Sequence, residues 1–217
     1  MDRRIKGNIV TIIESMAKQS PPHHFEFSDP FWVLITTILS HRTKDSVTDK
    51  AARKLYERYH DCKGLSKAKY DDVLGIIDKV GFKREKAKRV IGAAEIICTK
   101  YSGKVPESID ELMSIRGIGR KTANVILSDA LGIPAIAVDT HVQRICRRIG
   151  IAKNDNPFDT EKALMGIVPK NMWIGLNPMM VEFGKNICRP VGPKCHICSV
   201  REFCRYGQKR LNETAKK

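Results

Sequence analysis

Apolar residues recur along this chain with a helical period. Ile5, Ile9, Ile12, Ile13 and Met16 make one stripe, and Val47, Ala51, Leu55 and Tyr59 a second. Val90, Ile91, Ala94, Ile97 and Cys98 make a third, and Val138, Val142, Ile145, Cys146 and Ile149 a fourth. Each follows the i, i+3, i+4, i+7 spacing that gathers apolar side chains on one face of an α-helix. No stretch alternates apolar and polar residues for long enough to build a strand, so the predicted fold class is all-α. Ser20-Pro21-Pro22-His23-His24 ends the first helix, and Gly103-Lys104-Val105-Pro106 separates two more. Ser108 followed by Glu111 has the spacing of a capping box and starts another. Residues 152–158 are polar with one Pro and read as a loop. The tail after Tyr206 is polar and basic, and is expected to be loose.

Composition narrows the class. A chain of 217 residues, 42% hydrophobic and 29% charged, can bury a sizeable core as one domain or two lobes. No apolar run approaches membrane-spanning length, and the N-terminus lacks the apolar core of a secretion signal. The expected location is therefore intracellular. The net charge is +15, and the excess is uneven. Residues 83–104 hold seven Lys/Arg against two Glu, and residues 185–217 hold nine against two. Clustered positive charge is the footprint of a polyanion binder. The seven cysteines are also lopsided, since Cys188, Cys195, Cys198 and Cys204 crowd together while Cys62, Cys98 and Cys146 are scattered. A disulfide framework would not leave three over, which points to a reducing setting and a metal or cluster site. Cys98 and Cys146, on apolar faces, are expected to be small core residues, and Cys62 carries no assignment.

The segment from Leu112 to Leu127 reads as helix, glycine turn, helix. The first helix ends near Ile115, Gly117 and Gly119 flank Ile118, and a second helix begins at about Arg120. Glycines let a backbone turn tightly and approach a ligand closely. A helix N-terminus presents unpaired N–H groups and a positive dipole end, which suits a phosphate. Ile115 and Ile118 anchor the turn, and Arg120 and Lys121 add charge. Lys121, in the first turn of that helix beside Arg120, sits where a cation is disfavoured, which lowers its pKa and frees an amine for attack. A solvated, phosphate-contacting lysine is the other reading. Eighteen residues on, Asp139 in Ala137-Val138-Asp139-Thr140-His141-Val142 reads in isolation as a helix N-cap.

Taken together, Leu112 to Val142 resembles the active-site stretch of the endonuclease III family, which belongs to the helix-hairpin-helix superfamily. The resemblance extends over nearly the whole chain and is strongest over residues 112–149 and 188–204. It implies a bifunctional DNA glycosylase and AP lyase of base excision repair. Lys121 matches the family's nucleophilic lysine and Asp139 its catalytic aspartate. By that resemblance a damaged base, such as an oxidised pyrimidine, is flipped from the duplex into a pocket between two lobes. Lys121 then attacks the sugar C1′, Asp139 takes a proton or stabilises positive charge, and β-elimination from the Schiff base cuts the strand.

The cysteine spacing Cys188-x6-Cys195-x2-Cys198-x5-Cys204 is unlike the short paired spacings of structural zinc or the ferredoxin runs. It matches the loop that holds one [4Fe-4S] cluster in the endonuclease III family, and four cysteine ligands imply a structural cluster. His196 between two of them leaves a mixed Cys/His zinc site open. Arg189, Lys194 and Lys185 in or beside the loop are basic groups for a DNA backbone, or simply solvated. Phe82, in Val80-Gly81-Phe82-Lys83, matches the family's apolar wedge and otherwise reads as a core Phe at a helix end. Arg42, in Leu39-Ser40-His41-Arg42-Thr43-Lys44-Asp45, stands where the family often has glutamine, which makes the contact to the orphaned base different here. Asp45 matches an acidic residue near the family's pocket, or reads as a helix cap. Gly117, Ile118, Gly119, Arg120 and His141 complete the expected DNA contacts.

The expected architecture is two helical lobes. Residues 22–133 form a bundle of about six helices with the hairpin, and residues 1–21 with 134–217 form the lobe with the cysteine loop. The partner is double-stranded DNA carrying damaged bases or abasic sites, and a monomer is the simplest state. The rivals are a monofunctional mismatch glycosylase of the same superfamily, a non-catalytic DNA-binding module, and an iron–sulfur electron carrier. The adenine-removing branch lacks the hairpin lysine and the thymine-mismatch branch often has tyrosine there, whereas this chain has Lys121. The electron carrier would need neither the hairpin nor Lys121.

Overall fold

The computed structural model describes residues 3–22 and 27–214. Asp2, and His23 and His24 of the expected break, lie outside them. Regular structure among the described residues is helical throughout, in keeping with the period of the apolar stripes. In chain order the α-helices are α1 (Arg3–Gly7), α2 (Ile9–Gln19), α3 (Pro30–Ser40), α4 (Asp45–Tyr59), α5 (Cys62–Ser66), α6 (Tyr70–Ile76) and α7 (Lys83–Thr99). Then come α8 (Ile109–Ser114), α9 (Arg120–Val125), α10 (Thr140–Ile149), α11 (Pro157–Met165), α12 (Leu176–Asn186) and α13 (Arg205–Thr214). Among the described residues no helix is long and apolar enough to cross a membrane. The chain separates into two compact units, Phe25–Ile133, and Met1–His24 joined with Pro134–Lys217.

The unit Phe25–Ile133 is built on α3, whose residues from Phe31 to Leu39 are all buried. A helix apolar on every side belongs inside a bundle rather than on its surface. Pro30 opens it, with fixed φ and no N–H to waste, and Asp29 caps it by accepting from the Phe31 N–H at 2.9 Å. Ala51, Leu55, Val90, Ala94 and Ile97, from two of the predicted stripes, join this core. α5 and α7 are cross-linked by a disulfide between Cys62 and Cys98, with Cα atoms 5.9 Å apart. This corrects the expectation for Cys98 and gives a role to Cys62, which carried no assignment: 36 positions separate them in sequence, and only folding brings α5 against α7.

In the other unit, two distant stretches of chain share one core. Ile5, Ile9, Ile12 and Met16 from α1 and α2 pack in it with Val142, Ile145 and Ile149 of α10, and with Met180 and Phe183 of α12. Two further expectations need correcting here. The loop ends at Asn156, because Asn156 caps α11 and Pro157 occupies its first turn. The described part of the tail after Tyr206, residues 207–214, belongs to α13, which starts directly after Cys204. The Gly207 N–H donates to Cys204 Sγ at 3.3 Å, and the Tyr206 ring lies under the Arg148 guanidinium, 4.7 Å from its centroid. These contacts give a polar segment a surface to fold against.

Candidate active site and nucleic-acid interface

The glycine hairpin joins α8 to α9. Ser108 is the N-cap residue of α8, but its hydroxyl makes no capping bond; the half-exposed terminus can be satisfied by water instead. Gly117 has φ +93°, and a Cβ there would lie 2.8 Å from Cδ of Arg89. It is thus glycine for both conformation and space. Gly119 has ordinary extended geometry, and a Cβ there would meet nothing within 4 Å. Its bareness matters only to something arriving from outside. The Ile118 side chain is buried and its N–H donates to Ile115 O at 3.0 Å. Ile118 therefore anchors the turn, and neither its side chain nor its N–H is turned outward. Arg120 is exposed, and Lys121 is half-exposed on the first turn of α9.

The neighbourhood of Lys121 within this unit is cationic. Thr122 Oγ1 lies 3.3 Å from His41 Nε2, at the end of α3. Burial, and then the charges of Lys121, Lys86 and Arg89, hold the His41 imidazole below its ordinary pKa. His41 leads into the segment bearing Arg42. Arg42 and Phe82 both have left-handed backbones, with φ of 52° and 58°, a conformation costing about 1 kcal/mol or more for residues with a Cβ. The Arg42 guanidinium lies over the Phe82 ring, 5.5 Å from its centroid. Phe82 is 62% exposed, which removes the reading of a core Phe. Asp45 is the first residue of α4 rather than its cap, which is Lys44; there its carboxylate meets the positive end of the helix.

Lys86 is a buried cation beside Arg42 and Phe82 that sequence reasoning missed. It is 2% exposed. Its Nζ donates to Leu39 O at 2.6 Å, His41 O at 2.5 Å and Thr43 Oγ1 at 2.9 Å. Burial, and then neighbouring Arg89, lower its pKa from 10.5 to about 8. One signal was present: Lys86 stands four residues before Val90, in register with the buried stripe of α7.

In the other unit Asp139 caps α10. Its Oδ1 accepts from the His141 and Val142 N–H groups at 2.8 and 2.9 Å, so Oδ2 stays outside the cap. The cap reading and a chemical role are therefore compatible. Asp139 borders a cavity of about 870 Å³ whose wall also includes Arg144, Arg147, Arg205 and Lys209. His141 is half-buried, with Nδ1 3.1 Å from Arg144 Nη2. A Cβ on Gly184 of α12 would lie 2.5 Å from that same Nδ1, so glycine there admits the ring. Burial is the main cause that holds the His141 pKa below its ordinary value; Asp139 opposes it, and the Arg144 charge works with burial.

Cys188, Cys195, Cys198 and Cys204 are all free thiols of this unit. Among the described residues no three His, Cys, Asp or Glu side chains gather closely enough to hold a single metal ion. The thiols nevertheless influence one another. Burial above all, with the charges of Cys204, Cys188 and Cys195 adding to it, pushes Cys198 up to about 11. Four thiols of one unit that oppose one another's ionisation are a donor set that a positively charged group would be needed to hold ionised together. His196 is exposed. Arg148 holds one end of the loop: Nη1 donates to Cys188 Sγ at 3.3 Å and Arg189 O at 2.7 Å, and Nη2 to Pro190 O at 3.0 Å. Arg144 Nε donates to Cys188 O at 3.0 Å. Arg189 is exposed and reaches Gly192 O at 3.1 Å, while Lys194 is half-exposed at the start of the Cys195–Ile197 turn. Lys185 pairs with Glu182 at 2.9 Å.

Comparison with known proteins places these features in a family. Residues 35–170 match the model of the HhH-GPD superfamily base excision DNA repair protein. The chain is 43% identical over 202 residues to endonuclease III of Thermotoga maritima, covering 93% of this chain and 94% of that one. It is 36% identical over 184 residues to endonuclease III of Bacillus subtilis, covering 84% of each. A solved structure of a trapped endonuclease III–DNA covalent intermediate, in an estranged-adenine complex, superposes with a TM-score of 0.88 at 37% identity, over 95% of this chain and 98% of that one. The extent of these matches, together with a hairpin followed by Lys121 and a capped Asp139, shows that the chain belongs to the HhH-GPD superfamily of base excision DNA repair proteins, alongside the endonucleases III.

Proposed function

We propose that this protein is a DNA glycosylase and AP lyase that removes oxidised pyrimidines from double-stranded DNA and nicks the resulting strand. The observation that carries this reading is Lys121, half-exposed at the head of α9 directly after the glycine hairpin, in a chain that is 43% identical to an endonuclease III. The neutral Lys121 amine adds to the sugar C1′, and the bond from C1′ to the base breaks, the base leaving with the electron pair and gaining a proton. The amine gives up a proton, and ring opening yields the imine. Loss of a C2′ proton then expels the 3′ phosphate by β-elimination. Asp139 assists through Oδ2 by accepting a proton or balancing positive charge on the sugar.

Contacts to the duplex fall to the hairpin backbone at Gly117 and Gly119, to Arg120, and to Arg189, Lys194 and His141. Phe82 and Arg42 enter the stack where the damaged base has left, Phe82 as apolar wedge and Arg42 facing the orphaned base. Cys188, Cys195, Cys198 and Cys204 would hold one [4Fe-4S] cluster, which would supply a rigid brace for the loop. Arg148 and Arg144 orient that loop.

Borohydride trapping on duplex DNA with an abasic site tests the reading. The wild type should give a covalent adduct and Lys121→Ala none, with DNA affinity retained. No adduct from either protein, with binding intact, would mean a monofunctional enzyme or a binding module.

A further inference from the structure

We infer that Lys86 is a positioning residue, a buried ammonium that fixes Arg42 and Phe82 relative to each other and thereby sets how strongly the protein distinguishes the base opposite the lesion. This rests on the reading of Arg42 and Phe82 as the residues that enter the duplex.

Three donors on one ammonium meet three acceptors. Leu39 O and His41 O are carbonyls at the end of α3, where the last turn lacks partners and a cation is favoured. The third acceptor, Thr43 Oγ1, also accepts from the Gly81 N–H at 3.2 Å and donates to His41 O at 3.4 Å. Residues flanking Arg42 on both sides, and the residue before Phe82, therefore hang on a network centred on Lys86 Nζ. The two segments touch backbone to backbone: a Cβ on Gly81 would lie 2.6 Å from Arg42 O. Arg42 and Phe82 are two of the four non-glycine residues with positive φ among those described. Backbone of this kind persists where its surroundings over-determine it, and the Lys86 network supplies that determination. A buried lysine serving only the core would need none of this geometry, since an apolar side chain fills such a site at lower cost.

The test uses Lys86→Met, which keeps the stem and removes the donors, on duplexes carrying one lesion opposite each of the four bases. Wild type should show an opposite-base preference that Lys86→Met flattens by about tenfold, through KM more than through kcat. On a duplex whose opposite position carries an abasic analogue, and so offers no base to read, Lys86→Met should trap with borohydride at close to the wild-type rate. Thr43→Val, which removes the acceptor shared by Lys86 Nζ and the Gly81 N–H, should flatten the preference partway, and Thr43→Ser should restore it. Should Lys86→Met fail to fold, the two Thr43 variants decide. If Arg42→Ala and Phe82→Ala change the preference while Lys86→Met and Thr43→Val do not, the proposal is overturned. If Arg42→Ala and Phe82→Ala leave the preference unchanged, the assignment of those two residues fails, and the inference about Lys86 fails with it.

Discussion

Both units fasten an irregular segment with a cationic side chain, and they choose different cations. In the unit Phe25–Ile133, Lys86 serves acceptors gathered around a single point. In the other unit, Arg148 serves acceptors strung along the chain from Cys188 to Pro190. An ammonium radiates three donors from one atom and suits a turn folded around it, whereas a planar guanidinium fork suits successive carbonyls. The second difference is protonation. Lysine can lose its proton within reach of neutral pH, and arginine does not. The comparison teaches that the segment bearing Arg42 can be loosened by pH, while the cysteine loop cannot be loosened through its arginines.

The largest expected effect separates chemistry from scaffold on the helix that carries the arginines. Asp139→Asn should lower single-turnover base release by about a hundredfold or more. Asparagine caps helices as well as aspartate does, so thermal unfolding should shift by less than about 1 kcal/mol. A large loss of stability would show Asp139 to be a cap and little else. Next comes the covalent brace of the lysine-bearing unit. Cys98→Ala, compared with oxidised wild type in denaturant, should cost about 3–4 kcal/mol for a loop spanning 36 residues. It should leave any visible absorbance of the cysteine loop unchanged, because the loop belongs to the other unit. Equal stability in the presence and absence of reductant would argue that the cross-link contributes nothing.

Arg148→Met should cost about 2 kcal/mol by leaving carbonyls of the cysteine loop without donors, and should speed the loss of visible absorbance on chelator challenge. Arg148→Lys should recover only part of this, since one ammonium cannot span the three residues. Full recovery would erase the distinction between the two cations.

The pH prediction concerns Lys86, which faces Arg89 on its own helix and His41 from the end of α3. With a folded pKa of about 8 against 10.5 unfolded, both states are protonated below pH 8, and there the group contributes least to stability. Between pH 8 and 10.5 the unfolded chain binds more protons, so this group's contribution to stability rises with pH. Over the same window the neutral amine has two hydrogens for three acceptors, and opposite-base preference should weaken. Unfolding free energies measured from pH 7 to 10 should show the rise in wild type and lose it in Lys86→Met. The smallest effect belongs to the surface pair Arg147–Asp155, 3.2 Å apart with Asp155 largely exposed. Asp155→Asn should move stability by no more than about 0.5 kcal/mol.

Much of this protein was legible one-dimensionally, because its signals are local. Helical period, the glycine turn before Arg120, the start of α10 at Asp139 and the spacing of the four cysteines are all set by neighbours along the chain. Tertiary structure decided whatever depended on distant segments meeting. It joined Cys62 to Cys98, set Tyr206 of α13 against Arg148, and brought Leu39, His41 and Thr43 around Lys86. A lysine in register with an apolar stripe hints at burial, but its acceptors lie more than forty residues away. Periodicity reports which face a residue occupies; it carries no information about which carbonyls will be waiting there.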